Sequence, residues 1–486
     1  MSTAYLAVDL GSSSVRVMLG VLENSRLAVR EIGRLPNVPL VRPEGLGWDV
    51  PSLRDGVLAG LRSGAAAAAA AGAELRGIGV DSWGVDYARL TVDGGLRPFV
   101  RHHRDADPVR AAATAARGDV AADYALTGVL DQAINTAHQL RQDAAAGIGE
   151  RTDTVLPMAD LFVYLLTGRV GAESSLASTT ALIDRATGGW SAHLSAGLPG
   201  RLPPIVPTGS FAGATTSGVT AAIGSTHPVP VWSVTAHDTA AAFAAVTDAD
   251  DTGTGVVSSG SWAVVGVAVA QPVLTEAART AGFTQEIGFG GDTLLVKNLS
   301  GMWLLQQTLR EWALIDGDEP GSSDTLATLL AEAGDSDYVG RFDPADPALQ
   351  APSGLIERLE NACAGGGAGR PASRADLVRA IIESLATAYA DTLGQAERLT
   401  GRSVDRVRIL GGGARNELLC ALTADRTGRP VIAGPVEASV RGVLLQTAVA
   451  AGDLPDMTTA RMIDVDDGEA ADRTFTPATA SRGYRV

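Results

Sequence analysis

The chain has 486 residues, 45% of them hydrophobic, and a formal net charge of −16. That length exceeds what one hydrophobic core usually serves, so we expect two domains with a cleft between them. The negative charge opposes binding to nucleic acid or to anionic lipid, and an anionic small molecule would need a local binding site.

The two cysteines, Cys363 and Cys420, lie far apart in no metal-binding spacing, which argues against a disulfide framework and favours a reducing cytoplasm. The N-terminal residues lack the pattern of a signal peptide, and no apolar run reaches membrane-spanning length. We therefore expect a cytoplasmic protein with no membrane or nucleic-acid partner. The sequence leaves open whether it is a monomer or a homodimer.

The first half of the chain alternates strand-like and helix-like patterns. Two short apolar runs around Gly11-Ser-Ser-Ser predict a β-hairpin. Residues 48–72 then show apolar side chains every three or four positions, which predicts a helix beginning near Asp49 or Ser52. A strand-like segment follows from Ile78, so the pattern is typical of an α/β domain.

The second half opens as the first does. Val256-Val-Ser-Ser-Gly-Ser-Trp predicts a second hairpin, and Arg408-Ile-Leu-Gly-Gly-Gly predicts a strand, a glycine turn and a helix. The glycine-rich residues 364–370 come after a segment with a helical pattern, and they predict a loop or linker. The acidic residues 464–469 predict a solvated surface turn.

Small turn residues in both hairpins suggest a phosphate site. Asp9 ends the first strand, where its carboxylate could hold hydrated Mg²⁺ while the N–H groups of the turn close around an anion. An ordinary hairpin turn also explains this segment alone, but the second serine turn makes a paired phosphate site the better interpretation. Gly411-Gly-Gly fits neither a Walker A loop nor a dinucleotide fingerprint, so it is either a nucleotide contact or a tight turn.

Thr235-Ala-His-Asp-Thr places Asp238 at the start of a helix-forming run. There it could cap the helix and also accept a hydroxyl proton, since phosphoryl transfer needs an oriented acceptor more than a strong base. His237 either binds a sugar hydroxyl or is a buried structural histidine. Trp83-Gly-Val-Asp and Arg104-Asp105 carry groups that recognise polyhydroxyl ligands, although each is also a common fold feature.

Several segments, in this order along nearly the whole chain, resemble the FGGY carbohydrate kinases of the actin and sugar-kinase superfamily. They are Ala7-Val-Asp-Leu-Gly-Ser-Ser-Ser, Gly79-Val-Asp-Ser-Trp-Gly-Val-Asp-Tyr, His237-Asp-Thr-Ala, Ser258-Ser-Gly-Ser-Trp, Lys297-Asn-Leu-Ser-Gly-Met-Trp-Leu-Leu-Gln, Gly411-Gly-Gly and Gly434-Pro-Val-Glu-Ala-Ser. The resemblance implies an α/β fold of two ribonuclease-H-like (actin-like ATPase) domains with an interdomain active-site cleft. Residues 1–245 would be the sugar-binding domain and residues 246–486 the nucleotide-binding domain.

The resemblance also implies an ATP-dependent kinase that uses Mg²⁺, with Asp238 as the catalytic base and Asp9 as the metal ligand. The sugar would contact Gly84, His237, Asp238, Thr239 and Asn298. The nucleotide would contact Ser12, Ser13, Ser14, Val15, Arg16, Ser261, Gln306 and Gly412. Two residues depart from the pattern, since Val15 stands where glycine is common and Ser261 where threonine is usual.

The implied partners are ATP and a small ketose. Residues 297–306 and 434–439 favour L-rhamnulose, phosphorylated on its 1-hydroxyl. L-Fuculose, L-xylulose, D-xylulose and glycerol remain alternatives, because the shape of the pocket decides stereochemistry. A non-catalytic actin-like or sugar-sensing nucleotide binder is the rival of another class, against which Asp238 and Trp83-Gly84 argue.

Overall fold

A computed structural model describes residues 2–105, 107, 109, 118–247, 250–251, 253–317, 323–350, 353–468 and 472–478. The chain forms two compact units. The first comprises Met1–Asp250, Ala268–Leu295 and Glu437–Glu469, and the second comprises Asp251–Val267, Val296–Val436 and Ala470–Val486. The first unit therefore takes in two later segments of the chain. No helix within the described ranges is both long and apolar enough to cross a membrane.

Strands and helices alternate along the chain. The strands are β1 Thr3–Leu10, β2 Ser14–Glu23, β3 Arg26–Pro36, β4 Leu40–Arg42, β5 Gly45–Gly47, β6 Glu74–Ser82, β7 Tyr87–Leu90, β8 Thr154–Pro157, β9 Ala172–Glu173, β10 Ile183–Asp184, β11 Gly189–Trp190, β12 Ile205–Val206, β13 Phe211–Ala214, β14 Pro230–Trp232, β15 Thr254–Ser259, β16 Trp262–Val269, β17 Thr284–Ile287, β18 Thr293–Ser300, β19 Arg406–Leu410, β20 Val431–Ala433, β21 Asp464–Asp466 and β22 Arg473–Phe475. The helices are α1 Val50–Ala70, α2 Val120–Thr127, α3 Thr136–Ala145, α4 Met158–Thr167, α5 Ser174–Ser178, α6 Ala192–Ser195, α7 Ser217–Ala222, α8 Asp238–Ala244, α9 Glu276–Thr280, α10 Trp303–Asp316, α11 Ser323–Asp335, α12 Leu355–Gly365, α13 Arg374–Thr400, α14 Glu417–Thr427, α15 Ala438–Ala450 and α16 Met457–Met462.

The first unit contains a seven-stranded sheet of order β13-β14-β6-β1-β2-β3-β21. Its strands β1 and β2 form the predicted hairpin, with Asp9 opposite Arg16. Strand β6 runs parallel to β1 and places Asp81 beside Asp9. Because parallel strands end at the same edge of a sheet, the two aspartates lie together at that edge.

Helix α1 packs on this sheet and confirms the helix predicted for residues 48–72. It begins after Asp49, whose carboxylate accepts a hydrogen bond of 3.3 Å from the Ser52 amide. Val57 and Leu61 are buried in the same apolar core as residues of β1 and β2. Full burial of such a side chain contributes roughly 1.5–3 kcal/mol, so α1 stabilises the strands on which Asp9 lies.

The acidic segment near residue 464 is a strand, so the prediction of a surface turn is wrong there. Strand β21 pairs with β3 in parallel, and Arg26 forms ion pairs with Asp464 and Asp466. The charged side chains point into solvent at the edge of the sheet, where they discourage pairing with another chain. The loop predicted for residues 364–370 is confirmed from Gly366 onward, since α12 ends at Gly365.

The second unit contains strands in the order β18-β16-β15-β19-β20-β22. Strands β15 and β16 form the second predicted hairpin, and β15 runs parallel to β19. The predicted strand, glycine turn and helix are also confirmed. The turn is a short 3-10 helix, Gly411–Arg415, and Asn416 caps α14 by accepting the Leu419 amide at 3.0 Å.

Candidate functional site

Asp9, Asp81 and Asp238 lie near one another in the first unit. The Ser82 amide donates to the Ala236 carbonyl at 2.8 Å, which places the segment before α8 alongside the end of β6. Burial, followed by the negative charges of Asp9 and Asp238, raises the pKa of Asp81 well above its usual range. The three carboxylates therefore form one electrostatic cluster.

Asp81 is the member of this cluster that sequence reasoning left without a role. Its side chain is completely buried, and neither carboxylate oxygen accepts a hydrogen bond from any residue that the structure describes. An unpaired buried carboxylate is costly unless a cation or a proton compensates it. The sequence did hold a signal, because Asp81 ends a strand as Asp9 does.

Arg16 compensates Asp9 but lies between two carboxylates. Its Nε donates to Oδ2 of Asp9 at 2.8 Å, and its Nη atoms pair with Asp9 and Glu437. Burial raises the pKa of Asp9, and the charge of Arg16 offsets part of that increase. Glu437 lies in the segment that begins at Gly434, for which the sequence predicted no side-chain role.

Asn37 stabilises the first serine turn through two hydrogen bonds. The Asn37 amide donates to the Ser13 carbonyl at 3.0 Å, and its side chain donates to the Gly11 carbonyl at 2.9 Å. Ser12 and Ser13 are exposed, whereas the side chain of Val15 is fully buried in the apolar core. The departure from glycine at Val15 therefore places no side chain on the surface of the turn.

Asp238 does not cap its helix, so that part of the prediction is wrong. His237 occupies the N-cap position in an extended conformation, and its ring makes no capping hydrogen bond. Asp238 is the first helical residue, and its Oδ1 accepts the Thr239 amide at 2.5 Å. His237 is extended because it bridges to Ser82, and the helix therefore begins only at Asp238. The carboxylate of Asp238 is partly exposed.

His237 lies between two carboxylates. Its Nδ1 is 2.7 Å from Oε2 of Glu286, and its Nε2 is 3.4 Å from Oδ1 of Asp238. Burial opposes a charge on this ring, but the two carboxylates outweigh it and raise the pKa of His237 to about 9. Glu286 was not predicted from the sequence.

Gly84 lies just after β6, in a strained turn. A Cβ atom at Gly84 would lie 3.0 Å from Oγ1 of Thr179, so a larger residue would press on that side chain. Val85 has a φ of 68°, which is unfavourable for a β-branched residue, and its amide donates to the same Thr179 oxygen at 3.1 Å. A strained backbone of this kind often occurs at a functional site.

Asp86 anchors a cluster of rings next to Gly84. Its Oδ2 accepts hydrogen bonds from Nε1 of Trp48 at 2.7 Å and Nε1 of Trp83 at 2.9 Å, and Nδ1 of His103 lies at 2.9 Å. Asp86, His102 and His103 are close enough together to hold a metal ion. The N–H groups already satisfy this carboxylate oxygen, so we interpret the group as a structural cluster that fixes Trp83.

Two nucleotide residues predicted in the second unit, Ser261 and Gln306, lie in the second serine turn and in the helix that follows β18. The Ser261 carbonyl accepts hydrogen bonds from the amides of Gly301 and Trp303 at 3.1 and 3.2 Å. These bonds tie the second serine turn to the start of α10, where Gln306 is exposed. Asn298, predicted to contact the sugar, is exposed on β18 of this unit.

The glycine turn packs directly on the second hairpin. A Cβ atom at Gly411 would lie 3.0 Å from the Ser259 carbonyl oxygen, and a Cβ at Gly413 would collide with the Ser259 side chain. Gly412, between them, is exposed and has open space where a Cβ would be. The missing side chains thus allow close packing on one side and leave an accessible backbone on the other.

Two family models match most of the chain. The N-terminal domain of the FGGY family of carbohydrate kinases matches residues 4–245, and the C-terminal domain of that family matches residues 255–451. Both matches follow the order of the segments on which the resemblance was based.

Similar proteins cover nearly the full chain. A rhamnulokinase of Bacteroides thetaiotaomicron is 32% identical, covering 95% of this chain and 94% of the relative. A rhamnulokinase of Pectobacterium atrosepticum is 33% identical, covering 94% of this chain and 90% of the relative. The solved xylulose kinase from Rhodospirillum rubrum has a TM-score of 0.74 at 21% identity, covering 99% of this chain and 95% of that chain. Plasmodium falciparum glycerol kinase with ADP has a TM-score of 0.75 at 13% identity, covering 98% and 94%.

Proposed function

The chain belongs to the FGGY family of carbohydrate kinases and is an ATP-dependent sugar kinase with the two-domain, actin-like fold of that family; on this premise we propose that it phosphorylates L-rhamnulose. The products would be L-rhamnulose 1-phosphate and ADP. Support for this sugar comes from relatives named rhamnulokinase that are 32% and 33% identical over nearly the whole chain. The structural observation that carries the chemistry is Asp238, partly exposed at the start of α8 beside His237.

Asp238 would act as the catalytic base. The 1-hydroxyl oxygen of the sugar attacks the γ-phosphorus of ATP, the bond from that phosphorus to the bridging oxygen breaks, and the hydroxyl proton passes to Asp238. The Thr239 amide and hydroxyl occupy Oδ1, so we assign the proton to Oδ2. Phosphoryl transfer depends chiefly on orientation and charge stabilisation, which a carboxylate fixed in this way provides.

The remaining sugar contacts would come from Gly84, His237, Thr239 and Asn298. Gly84 would offer backbone atoms, since a side chain there would press on Thr179. His237, with its raised pKa, would donate a hydrogen bond from a charged ring. Residues 1–245 would thus supply most of the sugar site.

ATP would be bound from both hairpins. Within residues 1–245, the phosphate contacts would come from Ser12, Ser13, Ser14, Val15 and Arg16. Ser261, Gln306 and the backbone of Gly412 would contact the nucleotide in residues 246–486. Their exposure in the second unit supports this assignment.

Asp9 would hold Mg²⁺, which supplies positive charge that stabilises the phosphate oxygens. The donor set fits, because Asp9 lies beside the unpaired carboxylate of Asp81. Among the described residues, these carboxylates do not form a three-ligand group within 4.8 Å. Mg²⁺ usually keeps several waters and uses one or two carboxylates, so Asp9, with or without Asp81, would be sufficient.

We also propose that the enzyme works in the cytoplasm, where ATP is available. Both cysteines are unpaired and buried, as expected in a reducing compartment. Fractionation of cells that produce the protein would test the location, and light scattering would decide between a monomer and a homodimer.

The direct test is ADP release from the purified protein with Mg-ATP and L-rhamnulose, L-fuculose, L-xylulose, D-xylulose or glycerol. We expect a clear preference for L-rhamnulose in kcat/KM. A preference for another acceptor would refute the proposed substrate while keeping the kinase mechanism. If no acceptor gives ADP release, the result would favour a non-catalytic nucleotide binder.

A further inference from the structure

Glu286 and His237 form a buried pair next to the proposed base. The Glu286 carboxylate comes from β17 and approaches Nδ1 of His237 to 2.7 Å, while Nε2 of the same ring is 3.4 Å from Asp238. The contact between Glu286 and Nδ1 is an ion pair without the alignment of a hydrogen bond. His237 is only 9% exposed and Glu286 only 8%. The imidazole therefore lies between two carboxylates, of which only Asp238 acts in the proposed mechanism.

The backbone that holds His237 is fixed independently of this pair. The Ala236 amide donates to Oε2 of Glu173 at 3.0 Å, and the His237 amide donates to Oγ of Ser175 at 3.2 Å. Loss of the Glu286 charge would therefore leave the histidine in place. Its effect would fall on the protonation and tautomer of the ring.

The charges around the ring favour a proton on both nitrogens. Glu286, Asp238 and Glu173 are the anionic groups that act on His237. Arg185 also interacts with the charge of Glu286; its Nη2 donates to Oγ1 of Thr293 at 2.6 Å, and burial lowers its pKa to about 10. Glu286 is the carboxylate in direct contact with Nδ1, so its charge matters most to the ring.

We propose that Glu286 is a positioning residue for phosphoryl transfer: its charge beside Nδ1 keeps the ring of His237 cationic, so that Nε2–H remains available to Asp238 and to a hydroxyl of the acceptor. A neutral ring would have only one N–H and could place it on either nitrogen. The negative charge of Glu286 beside Nδ1 instead favours the cationic ring, which carries an N–H at both nitrogens. The catalytic part of this proposal rests on the proposed function, whereas the pairing does not.

The first test is an NMR titration of the full-length protein with labelled histidines, of which the chain has six. His237→Asn assigns the resonance. We expect His237 to titrate near pH 9 in the wild type, and about 1 to 3 pH units lower in Glu286→Gln, because an opposite charge at this distance shifts a pKa by that amount. Glu286→Asp should retain most of the shift. An unchanged midpoint in Glu286→Gln would overturn the proposal.

The second test is the pH dependence of kcat/KM for the acceptor sugar. In Glu286→Gln the alkaline limb should move to lower pH, with the KM for ATP unchanged, and Glu286→Asp should restore it. Glu276→Gln, an exposed carboxylate on α9, is the matched control and should behave as the wild type. An NMR shift without a kinetic shift would refute the positioning role. A wild type inactive on every acceptor would instead contradict the proposed function, and the titration would still report on the pair.

Discussion

Arg16 donates from Nε to Oδ2 of Asp9 over 2.8 Å, and the two residues face each other across the β1–β2 hairpin. The guanidinium also pairs with Glu437. The arginine proposed to bind phosphate therefore neutralises the carboxylate proposed to hold Mg²⁺. The phosphate and metal sites share one charge network, and changes to either partner should affect both.

Glu437→Gln should raise the KM for ATP about tenfold, because the loss of one charged hydrogen bond to Arg16 costs about 1.5 kcal/mol. The kcat should change much less. Steady-state kinetics with varied ATP measures both constants. Glu74→Gln is the control, since Glu74 forms an exposed ion pair with Arg76 and should leave KM unchanged. An unchanged KM for ATP in Glu437→Gln would show that this carboxylate does not contribute to phosphate binding.

Asp9→Asn should weaken divalent cation binding, since a neutral amide replaces the proposed ligand. Electron paramagnetic resonance of free Mn²⁺ measures this binding directly, in the presence of a non-hydrolysable ATP analogue. Asp55→Asn, at an exposed aspartate of α1, should bind Mn²⁺ as the wild type does. Equal Mn²⁺ affinity in Asp9→Asn would contradict the assignment.

Asp238→Asn should lower kcat by about 10²- to 10⁴-fold, the usual contribution of a general base. Calorimetry should show that the variant still binds ATP and sugar, and the midpoint of thermal unfolding should be close to that of the wild type. The amide can still accept the Thr239 hydrogen bond through its oxygen, so the helix start is retained. Near wild-type turnover would exclude Asp238 as the base.

The acid limb of kcat/KM should reflect Asp238. Although the Asp238 carboxylate is partly exposed, the loss of water around it raises its pKa above the ordinary value of 3.8, and the positive charge of His237 offsets part of that increase. Activity should fall as the pH falls through this raised pKa, because the protonated carboxyl cannot accept the hydroxyl proton. His237→Asn removes the positive charge and should move the acid limb to higher pH. An acid limb at the same pH in both proteins would show that the ring does not influence the base.

Gly442→Ala should destabilise the first unit by about 1–3 kcal/mol, as overpacking usually does. A Cβ atom at Gly442 on α15 would collide with the carbonyl group of Ala241 on α8, the helix that begins with Asp238. Urea unfolding measures the change. Gly365→Ala is the control, because a Cβ there meets nothing within 4 Å. Equal free energies of unfolding for the two variants would show that α8 and α15 can move apart without loss of stability.

The elements predicted from local patterns were largely confirmed. Both hairpins, helix α1 and the strand, glycine turn and helix near Gly411 follow from apolar spacing and turn residues. The strand at Asp464 was missed because its pairing partner, β3, lies more than 400 residues earlier and because three residues are too few for their alternation to indicate a strand. The cap at His237 was missed because a bridge to Ser82 decides where α8 begins.

The residues of the candidate site were likewise predicted only where a local sequence pattern marks them. Asp9, Asp238 and His237 stand out because each lies next to a turn or a helix start. Glu286 and Glu437 could not be predicted, since each reaches its partner from a distant segment and no local pattern marks a carboxylate that folding brings to a histidine or an arginine. Their roles, like those of the predicted site residues, stay predictions for the experiments above.

Phosphorus NMR of the product formed from Mg-ATP and L-rhamnulose tests the central claim most directly. With the wild-type protein we predict one phosphomonoester signal coupled to the two protons of C1, and with Asp238→Asn almost none. A signal that indicates phosphate on another hydroxyl, or the same product at the same rate from Asp238→Asn, would contradict the proposed reaction and its base.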